Sequence, residues 1–209
     1  MIKLTTLRHG ALLSLFMLAL AGCSLLAGRP HPVSHHVLGV PDGVAMAGTR
    51  AGAMVLLVGD TDTPGIYQAP NLVYSRAPGT LSHYQYARWS ETPARSFNRL
   101  MLRRLDASGL FEAVADVGTG VRGDLLLNTR LLDFYHDAAQ APGVARVALE
   151  AELVDRRDAK LVARTLIRAE APAPSHDATG AAAALGQASG HAMDQLVSWL
   201  GQVRPRDAR

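Results

Sequence analysis

The sequence predicts an α+β domain: a mixed, mostly antiparallel sheet covered on one face by two amphipathic helices. Three observations carry that expectation. Two pairs of strand-like runs are joined by turn-forming tetrapeptides, Ala77-Pro78-Gly79-Thr80 and Arg156-Arg157-Asp158-Ala159. Two segments, one opening at Thr92-Pro93 and one spanning Ala178–Val203, repeat apolar residues at the spacing of a helical face. Asp124–Tyr135 is apolar on both of its alternating faces, as suits a central strand.

In chain order, Val37–Val40 and Met54–Val58 are short apolar runs, flanked by Gly, Pro and Asp, that suit buried strands. Asn71–Arg76 and Ser82–Ser90 form the first hairpin. Strict alternation along its second strand puts Tyr84, Tyr86 and Arg88 on one face and His83, Gln85, Ala87 and Trp89 on the other. Thr92 suits a helix N-cap and Pro93 the first helical position, where a missing N–H costs nothing. Phe97, Leu100, Met101 and Leu105 continue the apolar stripe, and Gly109 suits the position past the helix end. Phe111–Val117 and Asp124–Tyr135 read as strands, then Val144–Asp155 and Leu161–Ala171 as the second hairpin. Pro172-Ala173-Pro174 breaks the chain before the last helix, where Leu185, Ala192, Leu196, Trp199 and Val203 lie near one seam. No repeat or long linker divides the body, so residues 37–203 are expected as a single domain and 204–209 as a polar tail.

At 209 residues, 48% hydrophobic and 19% charged, the chain can bury a full core; disordered, collagen-like and polytopic membrane classes are excluded. A single cysteine permits no internal disulfide and no cysteine-built zinc or iron–sulfur site. The formal charge of +3 is carried by arginine, since lysine occurs only at Lys3 and Lys160.

Lys3 and Arg8 form a basic start without acids, Ala11–Ala21 is apolar apart from Ser14, and Leu20-Ala21-Gly22-Cys23 comes directly after. That is the pattern of an export signal, and it is short for a membrane span. An uncleaved helix over Gly10–Gly28 and an ordinary cleaved signal are the competing readings. The tetrapeptide resembles the bacterial lipobox. The resemblance implies cleavage between Gly22 and Cys23 and acylation of Cys23, with palmitate-type chains, so residues 1–22 are a lipoprotein signal peptide. Residues 23–36 then form a lipidated tether. Three acyl chains exceed the two signals that stable anchoring needs. Ser24 stands where an inner-membrane retention signal would place Asp; similarity to Gram-negative sorting implies an outer-membrane protein facing the periplasm. Loss of Met1–Gly22 removes two basic residues and no acid, so the apparent basicity offers no case for a nucleic-acid partner.

Several short motifs carry letters of chemistry without its context. Gly118-Thr119-Gly120-Val121-Arg122-Gly123 matches G-x-G-x-x-G, but the residues after it alternate like a strand, so a Gly-rich hairpin turn is expected and no cofactor. Asp60-Thr61-Asp62-Thr63-Pro64-Gly65 begins like a calcium loop, then offers Pro64 and Asn71 where oxygen ligands should stand, so it reads as a solvated turn. His31, His35 and His36 lie in the tether, which would not hold metal geometry. Ser175-His176-Asp177 reads as helix capping, with Asp177 at the positive helix end, and no catalytic residues are assigned. Arg95, Arg99 and Arg103 repeat every four residues, with Arg104 beside them. They form either a solvated face or a contact for a partner or for lipid headgroups. Tyr84, Tyr86 and Trp89 read as packing residues rather than a ligand platform.

The ordered set of His36-Val37-Leu38-Gly39-Val40-Pro41, Pro64–Tyr74, the block His83-Tyr84-Gln85-Tyr86-Ala87-Arg88-Trp89-Ser90-Glu91-Thr92-Pro93, and the closing Leu196-Val197-Ser198-Trp199-Leu200 resembles the ABC-type transport auxiliary lipoprotein family, which includes the lipoprotein of the paraquat-inducible operon. The likeness spans about residues 35 to 201. It implies a fold resembling the N-terminal domain of TolB. It also implies a non-enzymatic outer-membrane subunit of a mammalian-cell-entry (MCE) transport system that moves phospholipids or other hydrophobic molecules between the two membranes. The implied partners are a periplasmic MCE-domain protein with its inner-membrane permease and ATPase, outer-membrane lipids through the acyl anchor, and copies of the chain itself in a ring. A lipoprotein subunit of another envelope-biogenesis or secretion machine is the alternative.

Overall fold

The computed structural model describes residues 32–41 and 53–204. Cys23, the lipobox, His31 and residues 205–209 therefore lie outside the described residues. Val33–Arg209 form one compact unit, distinct from Met1–Pro32. Its described residues hold eight strands: β1 (Ser34–His36), β2 (Val55–Val58), β3 (Asn71–Ser75), β4 (Ser82–Trp89), β5 (Ala113–Asp116), β6 (Leu125–Asp137), β7 (Val144–Asp155) and β8 (Lys160–Pro172). Among the described residues the α-helices are α1 (Pro93–Ala107) and α2 (Ala178–Val203). The fold class is α+β, as expected.

Strand β6 organises the sheet. One edge pairs antiparallel with β7 along its whole length, and β7 pairs in the same way with β8. The other edge is shared. Leu125–Leu127 pair in parallel with β2, while His136 and Asp137 pair in parallel with β3. Between them the connecting chain continues along β6, with Asp62 N donating to Thr129 O and Leu131 N to Asp62 O. The stretch expected as a solvated turn is therefore a splice between two short strands, with Thr61 and Thr63 buried against β6. Thr61 Oγ1 meets Thr129 Oγ1 at 2.9 Å, and Thr63 Oγ1 donates to Leu131 O.

Two expectations about the first strands change. Val37–Val40 is not a strand; the strand is Ser34–His36, three residues inside the stretch read as tether, and it pairs in parallel with Ala87–Trp89. Residues 37–41 leave the sheet and cross α2, where the Gly39 carbonyl sits so close to Gly186 that a Cβ there would lie 2.0 Å from the oxygen. Leu38 is buried, and Arg104 donates to Pro41 O at 3.1 Å, fastening the crossing from the α1 side.

The strict alternation read along β4 also fails. The β3–β4 register shifts between Asn71 and Val73, which rotates the first half of β4. Tyr84 therefore faces His136, while Trp89 packs 5.7 Å from Phe134, two residues earlier on the same face of β6. Tyr86 remains exposed.

The Gly-rich stretch 118–123 is not a hairpin turn. Both β5 and β6 run parallel to β2 and flank it, so the chain must return over β2. Gly123 lies on Leu57, with no room for a Cβ, which would come within 2.4 Å of Leu57 Cγ. The return leg thereby covers a leucine on the outer side of the sheet.

The helices close the other face. Phe97, Leu100, Met101 and Leu105 of α1 are buried, as the stripe predicts, and Ser108 ends the helix before Gly109 at φ 65°. The buried face of α2 is built largely from small residues, Gly180, Ala181, Ala184, Ala188 and Ala192, with Leu185, Leu196 and Leu200 between them. Small side chains let a helix axis approach its neighbours closely, which is what permits the crossing at Gly186. Trp199, expected near the seam, is half-buried and packs against the core from its rim, beside Leu166 and Ile167 of β8. Arg204, read as the first residue of the tail, donates to Leu110 O and so belongs to the folded unit.

Candidate functional site

The N-terminal half of α1 meets the C-terminal ends of β2 and β5 in a cleft of about 690 Å³. Its walls are Asp60 and Thr61 beyond β2, Asp116 at the end of β5, Glu91 and Thr92 before α1, and Ala94, Arg95, Asn98, Arg99 and Leu102 of the helix. A crevice at the C-terminal ends of parallel strands, facing a helix start, is where open α/β sheets place ligands, and the volume falls within the range of small-molecule sites. Of this set the sequence reading keeps only Arg95 and Arg99 as site candidates; Asp60 and Thr61 are weighed there as part of a calcium-type loop and set aside. Asn98 carried the missed signal, as a polar residue beside Phe97 and Met101 on the side of the helix that is buried.

Asn98 is 7% exposed and donates from Nδ2 to Gly59 O at 3.1 Å, while its Oδ1 has no hydrogen-bond partner. Thr92 starts α1 without a side-chain cap bond, and the first turn holds no acid. Glu91 accepts from Ser96 Oγ at 3.1 Å and pairs with Arg99 at 3.4 Å. Arg103 is exposed farther along and does not line the cleft. The three-arginine row is thus divided: Arg95 and Arg99 enter the cleft wall, and Arg103 faces solvent. Arg104 turns the other way, to Asp194 of α2 at 3.5 Å.

A second polar centre lies at the far end of β6. His136 is fully buried, with Nδ1 2.8 Å from Tyr84 Oη and Nε2 3.1 Å from Pro142 O. A carbonyl can only accept, so Nε2 carries the proton and the Tyr84 hydroxyl donates to Nδ1. Burial lowers the His136 pKa, which keeps the ring neutral. His176 also reaches Pro142 O, through Nδ1 at 3.2 Å. Ser175 Oγ donates to Asp177 Oδ1 at 2.9 Å, and the same oxygen accepts from Gly180 N at 2.8 Å. Those bonds hold the Asp177 carboxyl below its ordinary pKa, with the Gly180 amide contributing most. This is the capping expected from sequence. The serine hydroxyl is committed to the carboxylate and not to the imidazole.

The outer face of the β6–β8 ladder carries chains of ion pairs. Arg130 bridges Asp62 at 2.9 Å and Glu150 at 3.6 Å, Arg146 bridges Asp137 at 2.9 Å and also pairs with Glu170, and Arg164 pairs with Glu152. Arg130 and Arg146 hold Asp62 and Asp137 below the usual carboxylate range. His36 lies edge-on to Trp89, with ring centroids 6.5 Å apart. Among the described residues, no group of three or more His, Cys, Asp or Glu lies together in a way that could hold a metal.

Comparisons with known proteins match this architecture. A family model described as "ABC-type transport auxiliary lipoprotein component" matches residues 36–197. The crystal structure of protein XCC0632 from Xanthomonas campestris, assigned to the DUF330 family model, is similar at 26% identity and a TM-score of 0.72, covering 80% of this chain and 95% of that one. A structure titled only as an uncharacterized protein aligns at 12% identity and a TM-score of 0.64, covering 81% and 99%. The hypothetical protein CT253 from Chlamydia trachomatis aligns at 8% identity and a TM-score of 0.50, covering 73% and 98%. The last two likenesses concern the fold alone. No curated protein matches the sequence.

Proposed function

The chain belongs to the ABC-type transport auxiliary lipoprotein family, and on that premise we propose that it is the lipid-anchored docking subunit of an MCE-type transporter. In this role Cys23 carries the acyl chains, the outer membrane holds them, and the folded unit faces the periplasm. An MCE-domain protein, driven by an inner-membrane permease and ATPase, delivers phospholipid or another hydrophobic cargo to it, and copies of the chain gather as a ring. The subunit contributes contacts rather than catalysis.

The observation that supports this reading is the family match across residues 36–197, which takes in both helices up to Val197 and every strand except the first two residues of β1. The likeness to the Xanthomonas campestris protein over nearly its whole length agrees with it. Arg103, exposed on α1 outside the cleft, is placed for contact with a partner surface.

Crosslinking in intact cells, followed by affinity capture of this chain, tests the partner. Recovery of an MCE-domain protein is the expected result, and recovery of secretion-machine subunits alone would refute the assignment. Anchoring is tested separately. Cys23→Ala should abolish incorporation of labelled palmitate and remove the chain from the outer-membrane fraction, and normal fractionation of that variant would refute the anchor.

A further inference from the structure

We propose that the cleft between α1 and the ends of β2 and β5 binds a phosphate ester bearing a primary ammonium group. The proposal rests on the cleft alone and does not depend on the transporter assignment. Its first support is an imbalance the protein leaves within its own structure. Arg95 and Asp60 line one cavity, yet among the described residues neither takes part in an ion pair or a side-chain hydrogen bond. Opposite charges that share a cavity without pairing suit a ligand that carries both signs.

The unpaired groups of the two signs occupy different walls, while Glu91 on the helix side is already engaged by Ser96 and Arg99. On the helix wall, Arg95 and Arg99 stand one turn apart. Pro93 has no N–H, and the amides of Ala94 and Arg95 fall in the first turn, where no helical acceptor exists. Thr92 supplies no side-chain cap to them. The free guanidinium of Arg95, the N–H groups of Arg99 not given to Glu91, and two amides at a helix start make an anion site. That arrangement suits the tetrahedral oxygens of a phosphate better than a planar carboxylate.

On the strand wall the groups are acceptors. Asp60 is free, Asp116 commits one oxygen to Gly118 N at 3.1 Å, and Asn98 holds an unpartnered Oδ1. The Asn98 amide cannot be turned round, because its Nδ2 already donates to Gly59 O. These acceptors call for N–H donors, which a primary ammonium has and a quaternary one lacks. A plain phosphate would meet Asp60 and Asp116 as like charges, and a plain amine would meet Arg95.

Titration calorimetry on the full chain in detergent tests this with three probes. Phosphoethanolamine should bind, with phosphocholine and inorganic phosphate at least about tenfold weaker. Arg95→Ala and Asp60→Asn should each weaken phosphoethanolamine about tenfold while leaving the unfolding midpoint in place. Equal affinity for all three probes, binding indifferent to both substitutions, or no binding of phosphoethanolamine would overturn the proposal. A short-chain phosphatidylethanolamine, kept below its micelle concentration, identifies the source. Competition that Asp60→Asn abolishes assigns the site to a lipid headgroup, and phosphoethanolamine binding without such competition assigns it to a soluble ester. Binding of the short-chain lipid that persists in both variants would overturn the ammonium and phosphate assignments together.

Discussion

The same residue types are treated in opposite ways on the two sides of β6. Toward β7 and β8, arginines and carboxylates stand across adjacent strands and pair, as Arg130–Glu150, Asp137–Arg146–Glu170 and Glu152–Arg164. On the other side Asp62 still reaches Arg130 and Glu91 pairs with Arg99, but Arg95 and Asp60 share a cavity and make no such bond. The ladder arrangement comes from strand geometry, which sets facing side chains roughly 5 Å apart. The cleft lies where strands stop, so no ladder forces its charges together. The β6–β8 side therefore serves as support, whereas Arg95 and Asp60 in the cleft are left without such partners.

That contrast can be broken by measurement. The largest effect is expected at Gly143, whose φ is 95° and whose missing Cβ would fall 2.0 Å from His136 Nε2. Gly143→Ala should cost about 3 kcal/mol or more in urea denaturation; a cost below about 1 kcal/mol would remove this hairpin from the support. Leu127→Ala, at a fully buried position of β6, should cost about 2–5 kcal/mol by the same measurement.

A smaller effect is gated by pH. Burial lowers the His136 pKa, so the unfolded chain binds the proton more readily. The stabilisation from the neutral ring is fully present above about pH 6.5 and is lost as pH falls toward the lower folded value. Tyr84, His176, Asp137 and Asp177 surround the ring and shape that titration. The urea midpoint should drop between pH 7.5 and pH 5, and His136→Leu should flatten the drop. An unchanged slope in that variant would assign the effect to other groups. Asp177→Ala removes the α2 cap and should cost about 1 kcal/mol. Least of all, Arg95→Ala in the cleft should change stability by no more than about 0.5 kcal/mol. A larger loss there would erase the distinction between the two sides.

Much of the support was legible because its signals are local. Both hairpins expected from sequence, β3–β4 and β7–β8, have turn residues between their strands, and the ends of α2 are marked by Asp177 and by the last apolar residue, Val203. What escaped depends on contacts between distant residues. Ser34–His36 has no apolar run, and it is a strand only because Ala87–Trp89 lies beside it. The parallel pairing of β2 and β3 in succession along one edge of β6 leaves no trace in either short strand. The register shift in β3–β4 turned Tyr84 toward His136 against strict alternation. The cleft was the least legible part. Asp60, Asn98 and Asp116 come from a loop, a helix and a strand end, and only the fold brings them to one cavity.

The divided edge of β6 also bears on the time course of folding. The partners of β6 through β7 and β8 are its sequence neighbours, whereas β2 and β3 must return across long loops to reach it. Closing such loops costs entropy before any contact repays it, and local pairings form faster. The C-terminal meander and α2 are accordingly expected to gain protection from hydrogen exchange first, with β1, β2 and β3 last. The half of the molecule that emerges first from the ribosome would be the half that waits longest for its shape.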